Sequence, residues 1–348
     1  MKNLQYPIAP PLLGWFQATR RSLPFRDDPT PYHIWVSEIM LQQTRMAAVL
    51  PYYERFMAEL PDVRALAACD PERLTKLWEG LGYYSRVRNL QKAAQVVCEK
   101  FGGELPGDYE TLLTLPGIGP YTAGAIASIS FGLPCPAVDG NVLRVFSRLY
   151  CDEGDITDPE VKKRCTERVM AHQPPDSPGD FNQALMEFGA LVCTPRSPDC
   201  AHCPLREICE GAAAGCAEEL PKKAPKKERK TQKVTVAVVR GPLGVLLEKR
   251  PEKGLLAGLW QPYMKEEDCT EAEMLTSLAT LGIRCRKTGD LKPARHLFTH
   301  IEWQLSGWML ETDDAPDLPE NMTWAKETDG DMYTLPSAFG AYRTLILP

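Results

Sequence analysis

The sequence predicts a mainly α-helical N-terminal part joined to a smaller α+β domain, and three observations carry that prediction. Residues 1–220 show apolar runs at helical spacing, separated by Gly and Pro, with no alternating strand pattern. Residues 221–230, PKKAPKKERK, hold no apolar side chain large enough to anchor a core and read as a basic, solvated linker. From Thr231 to Pro348 the hydrophobic period shifts to two.

Each element follows from local signals. Thr30-Pro31 opens a helix through Gln43, Asp70-Pro71 pairs an N-cap with Pro at the first helical position, and Ser85 to Phe101 gives another helix. Pro120 to Phe131 follows a glycine turn, Asp158-Pro159 repeats the start signal, and Pro178 to Val192 is the last long helix before a run of cysteines. Beyond the linker, TQKVTVAVVR, GVLLEKR and HIEWQLSGWMLE read as strands, and Glu271 to Leu281 and Pro336 to Ile346 as helices.

Composition narrows the class. At 348 residues the chain can bury two cores. No stretch approaches the roughly 18 apolar residues of a membrane span, and the first residues, MKNLQYP, lack a signal-peptide core, so a soluble, cytoplasmic protein is expected. Four of the twelve cysteines crowd between Cys193 and Cys209, a pattern that in an intracellular chain means metal. The net charge of -6 argues against a broad positive field for nucleic acid. Lys and Arg number 21 against 28 acidic residues over 1–220, 6 against 1 over 221–230, and 13 against 17 beyond. Contact with a polyanion would therefore rest on local patches and backbone amides.

The chemistry gathers around Leu115 to Arg144, LPGIGPYTAGAIASISFGLPCPAVDGNVLR. Gly117 and Gly119 permit positive φ and close backbone approach, and the helix start after them suits a phosphate. Asp139 stands as N-cap of the next helix, where the dipole favours its anion. Glu38 sits amid the apolar segment WVSEIMLQQT; burial there would raise its pKa and keep it protonated near neutrality, as a general acid requires. Two carboxyls tuned apart suit glycosidic cleavage. The competing readings, a solvent-facing Glu38 and an ordinary capping Asp139, stand open here.

Cys193-x6-Cys200-x2-Cys203-x5-Cys209 supplies four thiolates for a tetrahedral zinc or a 4Fe-4S cluster. Only one pair has the Cys-x-x-Cys knuckle spacing, which favours iron-sulfur; His202 and Cys216 are bystanders. Gly80-Leu-Gly-Tyr-Tyr-Ser85 presents Tyr83 between glycines, suited to entering a base stack or to packing a helix corner. Gln42, Gln43 and Thr44 end a helix and could wedge into DNA or cap. Arg86 is a candidate DNA contact that shares no helix face with Arg88.

WVSEIMLQQT, GLGYYSRVRNL, LPGIGPYTAG, VDGNVLRV, NQALMEFGA and the cysteine run, in that order, resemble the adenine DNA glycosylases of the MutY type over nearly the whole chain. The resemblance implies a helix-hairpin-helix glycosylase fold with an iron-sulfur loop at 193–209, in a domain over 1–220, and a Nudix-like recognition domain over 231–348. It implies that Glu38 protonates adenine N7, Asp139 stabilises or traps the sugar cation, Asn141 holds Asp139, and Tyr121 and Glu187 line the flipped-base pocket. Gln43, Thr44 and Tyr83 would fill the stack around an opposing 8-oxoguanine, and Cys193, Cys200, Cys203 and Cys209 would hold the 4Fe-4S cluster. Leu297-Phe-Thr-His-Ile301 resembles the family's Phe-Ser-His sensing loop, with Phe298, Thr299 and His300 as its residues and Thr in place of Ser. The expected partner is double-stranded DNA containing A:8-oxoG or A:G mispairs, bound by a monomer.

Three rivals stay in view. Endonuclease III-like pyrimidine glycosylases resemble this chain in hairpin and cluster, but they carry a lysine nucleophile where Tyr121 stands, and Leu143 occupies a second position where some relatives carry Lys. A Nudix nucleotide hydrolase needs Arg-Glu-x-x-Glu-Glu for Mg2+, which YMKEEDCTEAEMLTSL lacks. A DNA-binding factor without catalysis would be missing a carboxylate, and both are present.

Overall fold

The computed structural model describes residues 7–225 and 228–347, so the N-terminal MKNLQY and the middle of the basic stretch lie outside the described residues. The chain divides into two compact units, Met1–Ala68 with Arg88–Pro225, and Cys69–Val87 with Lys226–Pro348. Among the described residues no helix is long and apolar enough to cross a membrane.

The first unit is helical: α1 (Ala9–Thr19), α2 (Pro24–Asp27), α3 (Pro31–Leu41), α4 (Met46–Glu59) and α5 (Val63–Ala68) come first. α6 (Pro71–Leu77) belongs to the second unit; then follow α7 (Ser85–Phe101), α8 (Tyr109–Leu113), α9 (Pro120–Phe131), α10 (Gly140–Leu149), α11 (Pro159–His172), α12 (Pro178–Leu191) and α13 (Glu210–Ala213). The start signals act as expected: the side chains of Thr30, Asp139 and Asp158 accept from His33, Val142 and Glu160 amides. α3 packs on α9, α9 on α12, and α12 on α1 and α10.

α3 and α9 are apolar around most of their circumference, so each is buried on several sides. On α3 everything from Ile34 to Met40 is buried, which leaves Glu38 no solvent face to turn to. Helices this central must approach closely. A Cβ added at Gly124 of α9 would stand 2.0 Å from the Pro136 carbonyl oxygen, and one at Gly179 of α12 would stand 2.6 Å from the Ser128 carbonyl oxygen.

The hairpin glycines differ from expectation in one respect. Gly117 takes φ 77°, and its Cβ would press on Asn89, whereas Gly119 is extended at φ -99° and has no need of glycine's left-handed freedom. What Gly119 contributes is open space: a Cβ there would meet nothing within 4 Å, and no side chain caps α9.

The second unit is a mixed sheet in the order β4-β6-β1-β3-β2-β7, with β5 also paired to β6. Its strands are β1 (Lys230–Gly241), β2 (Gly244–Lys249), β3 (Trp260–Lys265), β4 (Arg286–Asp290), β5 (Ala294–Leu297), β6 (Ile301–Glu311) and β7 (Met322–Ala325). β1 runs parallel to β6, and the other pairs are antiparallel. The alternation in β1 sends Val234, Val236 and Val238 to a core with Trp303, Leu305, Phe339 and Tyr342, and Ala237 and Val239 to a core under α14 (Glu271–Ala279) with Met274 and Leu278. The C-terminal helix expected from Pro336 to Ile346 is broken. Residues Ser337–Tyr342 form a 3-10 segment with non-helical φ/ψ at Phe339, and α15 (Arg343–Ile346) follows. Phe339 and Tyr342 are both buried in the same core as Ile346, and tertiary packing overrides the helical period there.

Segment 69–87 is bound to this second unit by polar contacts. Glu72 takes Lys249 Nζ at 2.5 Å and the Trp260 indole N–H at 3.3 Å, and Glu79 accepts from Arg343 at 3.0 Å and from the Leu335 amide at 3.1 Å.

Replacing Gly124 by Ala forces a methyl against a backbone carbonyl and is expected to destabilise by about 1–3 kcal/mol or more. Gly14→Ala in α1, where a Cβ meets nothing within 4 Å, should be neutral or stabilising by up to about 1 kcal/mol. Thermal melts followed by circular dichroism check both.

Candidate active site and cluster loop

Glu38 is 6% exposed, and the Tyr121 hydroxyl from the first turn of α9 donates to its Oε2. Burial pushes its carboxyl up; the Tyr121 hydrogen bond opposes that, the Asp139 charge adds to it, and the result is about 7. The Tyr121 hydroxyl also lies 3.1 Å from Met186 Sδ, and burial beside two carboxyls lifts its pKa well above the ordinary value. Tyr121 is thus a proton donor throughout, and it favours holding Glu38 through one oxygen only.

Asp139 receives the Val142 amide on Oδ1 at 2.8 Å and Asn141 Nδ2 on Oδ2 at 2.8 Å. Burial raises its pKa, and the Val142 and Asn141 hydrogen bonds pull the other way. Stabilisation of the anion by the helix start, anticipated from sequence, therefore offsets desolvation without overcoming it. Asp139 borders an open groove with Leu41, Gln43, Thr44, Arg45, Asn141 and Lys223. Glu38 is not in that groove's lining but stands near enough to Asp139 to feel its charge. Gln43 sits at φ 60°, a conformation a non-glycine side chain adopts only at a cost.

Glu187 on α12 is buried and wholly engaged: Arg21 Nε and Nη2 each donate to it at 2.7 Å and Arg26 Nη2 at 2.9 Å. Burial alone would raise its pKa, but the two guanidinium groups prevail and hold it at about 2.

The four cysteines of 193–209 line one cavity between α10, α12 and their own loop. Burial pushes the Cys203 thiol up to about 12 and raises Cys193 and Cys209 as well, so thiolates there call for a cationic group. Arg148 Nη1 donates to Cys193 Sγ at 3.3 Å and the Leu205 amide to Cys203 Sγ at 3.4 Å. Thiols ringing a cavity fit a polynuclear cluster, which when bound supplies metal-thiolate cross-links across the loop. His202 faces away with 84% of its side chain exposed, paired to Asp199, as a bystander would be.

In the second unit Tyr83 is half exposed at φ 47°, and its hydroxyl lies 3.4 Å from Thr299 Oγ1. Thr299 and His300 form the turn between β5 and β6, closed by the Phe298 amide on the Ile301 carbonyl at 2.8 Å. The Phe298 ring is wedged between His296 and Trp303. From the basic stretch, Arg229 Nε donates to the Phe298 carbonyl at 2.8 Å, so this end of it is engaged and not merely solvated. Arg86 is spent on its own loop: Nη2 donates to the Leu81 and Gly82 carbonyls at 3.1 Å, its guanidinium lies over Trp78, and burial lowers its pKa to about 10.

Sequence reasoning missed Arg144 and Arg148, buried one turn apart on α10. Arg144 donates to Asn141 Oδ1 at 2.9 Å, to the Gly189 carbonyl at 2.6 Å and to the Cys193 carbonyl at 2.8 Å; Arg148 donates to the Thr194 carbonyl at 2.7 Å. The signal was present as two arginines at i, i+4 on an otherwise apolar helix face.

Residues 36–171 match the HhH-GPD superfamily of base excision DNA repair proteins, residues 193–209 the iron-sulfur binding domain of endonuclease III, and residues 234–344 the NUDIX domain. The adenine DNA glycosylase of Mus musculus is 37% identical over 367 residues, spanning 88% of this chain and 70% of that protein. That of Schizosaccharomyces pombe is 34% identical and spans 91% of this chain and 84% of its own; that of Buchnera aphidicola subsp. Schizaphis graminum is 34% identical and spans 73% and 74%. Among solved structures, a thermostable thymine-DNA glycosylase superposes with a TM-score of 0.53 at 27% identity, covering 59% of this chain and 94% of that one. An endonuclease III in a non-covalent DNA complex superposes with a TM-score of 0.51 at 27% identity, covering 59% and 92%. The helical unit is the helix-hairpin-helix glycosylase fold, the C-terminal sheet is Nudix-like, and the cysteine loop carries a 4Fe-4S cluster. With similarity running through both domains, the chain belongs to the adenine DNA glycosylase family, enzymes of base-excision repair.

Proposed function

We propose that this enzyme works as a monomer on cytoplasmic, nucleoid DNA, turns adenine out of a mispair with 8-oxoguanine or less efficiently guanine, and hydrolyses its N-glycosidic bond without cutting the strand. The observation that carries the reading is Glu38, neutral up to about pH 7 in a desolvated site that senses Asp139. Extruding the base costs a few kcal/mol, least from a mispair, and pocket contacts offset it.

In this reading Glu38 gives its proton to adenine N7 as the bond breaks, with Tyr121 holding the other carboxyl oxygen. Asp139, kept in place by Asn141 and the Val142 amide, meets the oxocarbenium-like sugar. The bare helix start after Gly117 and Gly119 takes a backbone phosphate, and Arg45 and Lys223 supply positive charge along the groove. The strained Gln43 and Tyr83, with Thr44, fill the stack around the opposing base, while Phe298, Thr299 and His300 examine it. Arg86 positions the Tyr83 loop, Glu187 pins α12 at the pocket wall, and Cys193, Cys200, Cys203 and Cys209 hold the cluster. Tyr121 has no amine for a Schiff base, which supports a glycosylase without lyase activity.

Duplexes with A opposite 8-oxoguanine should break only after hot alkali, A opposite G more slowly, and thymine glycol opposite A not at all; direct breakage of the last would install the pyrimidine-lyase reading instead. Glu38→Gln is expected to slow single-turnover excision by about 10²–10⁴ and Asp139→Asn by about 10³ or more, with duplex binding in gel shifts nearly unchanged. Because Glu38 acts in its acid form, excision should fall about tenfold per unit above about pH 7, and because Asp139 acts as an anion whose pKa burial raises, it should fall again on the acid side, read from a single-turnover pH profile. Thr299→Val or Tyr83→Phe removes one hydroxyl contact of about 1 kcal/mol, so the preference for 8-oxoguanine over guanine should shrink by roughly fivefold.

A further inference from the structure

Outside the cluster loop, two thiols stand in direct contact. Cys151 follows the C-terminal end of α10, and Cys216 follows α13, on the chain leaving the cluster loop; their sulfurs are 2.9 Å apart. Both side chains are partly exposed, so a small solute reaches them. Cys151 holds φ 43°, a left-handed conformation that follows a helix end and that glycine would adopt without strain. The chain instead places a side chain there, and its sulfur meets Cys216. The backbone on both sides is tied down: the Cys151 amide donates to the Arg148 carbonyl and the Cys216 amide to the Gly211 carbonyl at 2.9 Å. Closing the sulfurs to a bond of about 2.05 Å takes about 0.9 Å of movement, within the reach of side-chain rotation.

We infer that Cys151 and Cys216 are an oxidative modification site, a dithiol that hydrogen peroxide converts to an intramolecular disulfide. The Cys216 sulfur attacks one peroxide oxygen, the O–O bond breaks, and Cys216 sulfenic acid and water result. The Cys151 sulfur then attacks the sulfenic sulfur, the S–O bond breaks, the Cys151 proton leaves with the hydroxyl as a second water, and the S–S bond forms. Two thiols are oxidised and one peroxide is reduced to two waters. The sequence balances equally with the two thiols exchanged; the hydrogen bond to Cys216, burial and the nearby Glu153 and Glu210 carboxylates raise the Cys151 thiol to about 11. The bridge ties the chain beyond the cluster loop to the end of the helix whose other end is Asp139, enclosing α11, α12 and residues 193–209 in one covalent ring.

The test uses the cluster-loaded protein. Brief exposure to hydrogen peroxide, alkylation of remaining thiols under denaturing conditions, and peptide mass mapping should yield one Cys151–Cys216 linked peptide, lighter by two hydrogens and split by dithiothreitol. The visible absorbance of the cluster should persist at the dose that forms the link. Cys151→Ser should remove the link and leave Cys216 open to a dimedone adduct, and Cys216→Ser should remove the link while leaving Cys151 alkylatable; absorbance of the cluster in each variant reports that it has folded. The inference is overturned if both thiols stay alkylatable at doses that oxidise other cysteines, if either pairs equally with other partners, or if the cluster is lost before the link appears.

Discussion

Everything at the catalytic centre depends on desolvating one carboxyl. α3 carries Trp35, Val36, Ile39 and Met40 around Glu38, and with the helix buried on nearly every side the residue is left only 6% exposed. A buried ionised carboxylate costs several kcal/mol unless it is paired, and where no partner is close enough the group keeps its proton. Glu187, on a helix packed against the same α9, shows the other outcome. Three guanidinium nitrogens from Arg21 and Arg26 surround it, and it stays ionised down to about 2, whereas Glu38 has one phenol beside it and only the more remote charge of Arg26, and titrates near 7. Neighbouring cations, and not burial as such, separate a structural glutamate from an acid.

Asp139 falls between these cases. It has no guanidinium on its own oxygens, yet two short hydrogen bonds and a helix start partly repay its burial. The same geometry that caps α10 keeps the oxygens facing the groove, so fold and chemistry use one set of contacts. An asparagine would retain the cap and lose the charge, which is why substitution here separates structure from catalysis.

What could be read from the sequence was whatever is local. N-caps followed by Pro, the glycine hairpin, the cysteine spacing and the shift to period two each lie within a few residues, and the elements appear where those signals place them. Long-range pairings were not legible. Nothing in DPERLTKLWEGLGYYS announces that Glu72 and Glu79 find Lys249 and Arg343, which attaches residues 69–87 to the C-terminal unit. The contacts of Arg86 were hidden as well, because its partners, the Leu81 and Gly82 carbonyls, are backbone groups that no residue pattern reveals. The ion pairs of Glu187 were hidden for the same reason, its arginines lying more than 160 positions away.

The cysteine loop and the groove are joined by one continuous chain of hydrogen bonds, from Asp139 to Asn141 to Arg144 to the Cys193 carbonyl. Arg144 is buried, and its donors are matched to three fixed acceptors, of which Cys193 belongs to the loop. A buried guanidinium left short of any of these partners seeks others at a cost of about 1–3 kcal/mol. Asn141 is the nearest group to yield, and the Asp139 oxygen it orients would turn with it. The cysteine loop and the carboxylate that faces the groove are thereby held to one geometry through the Arg144 side chain.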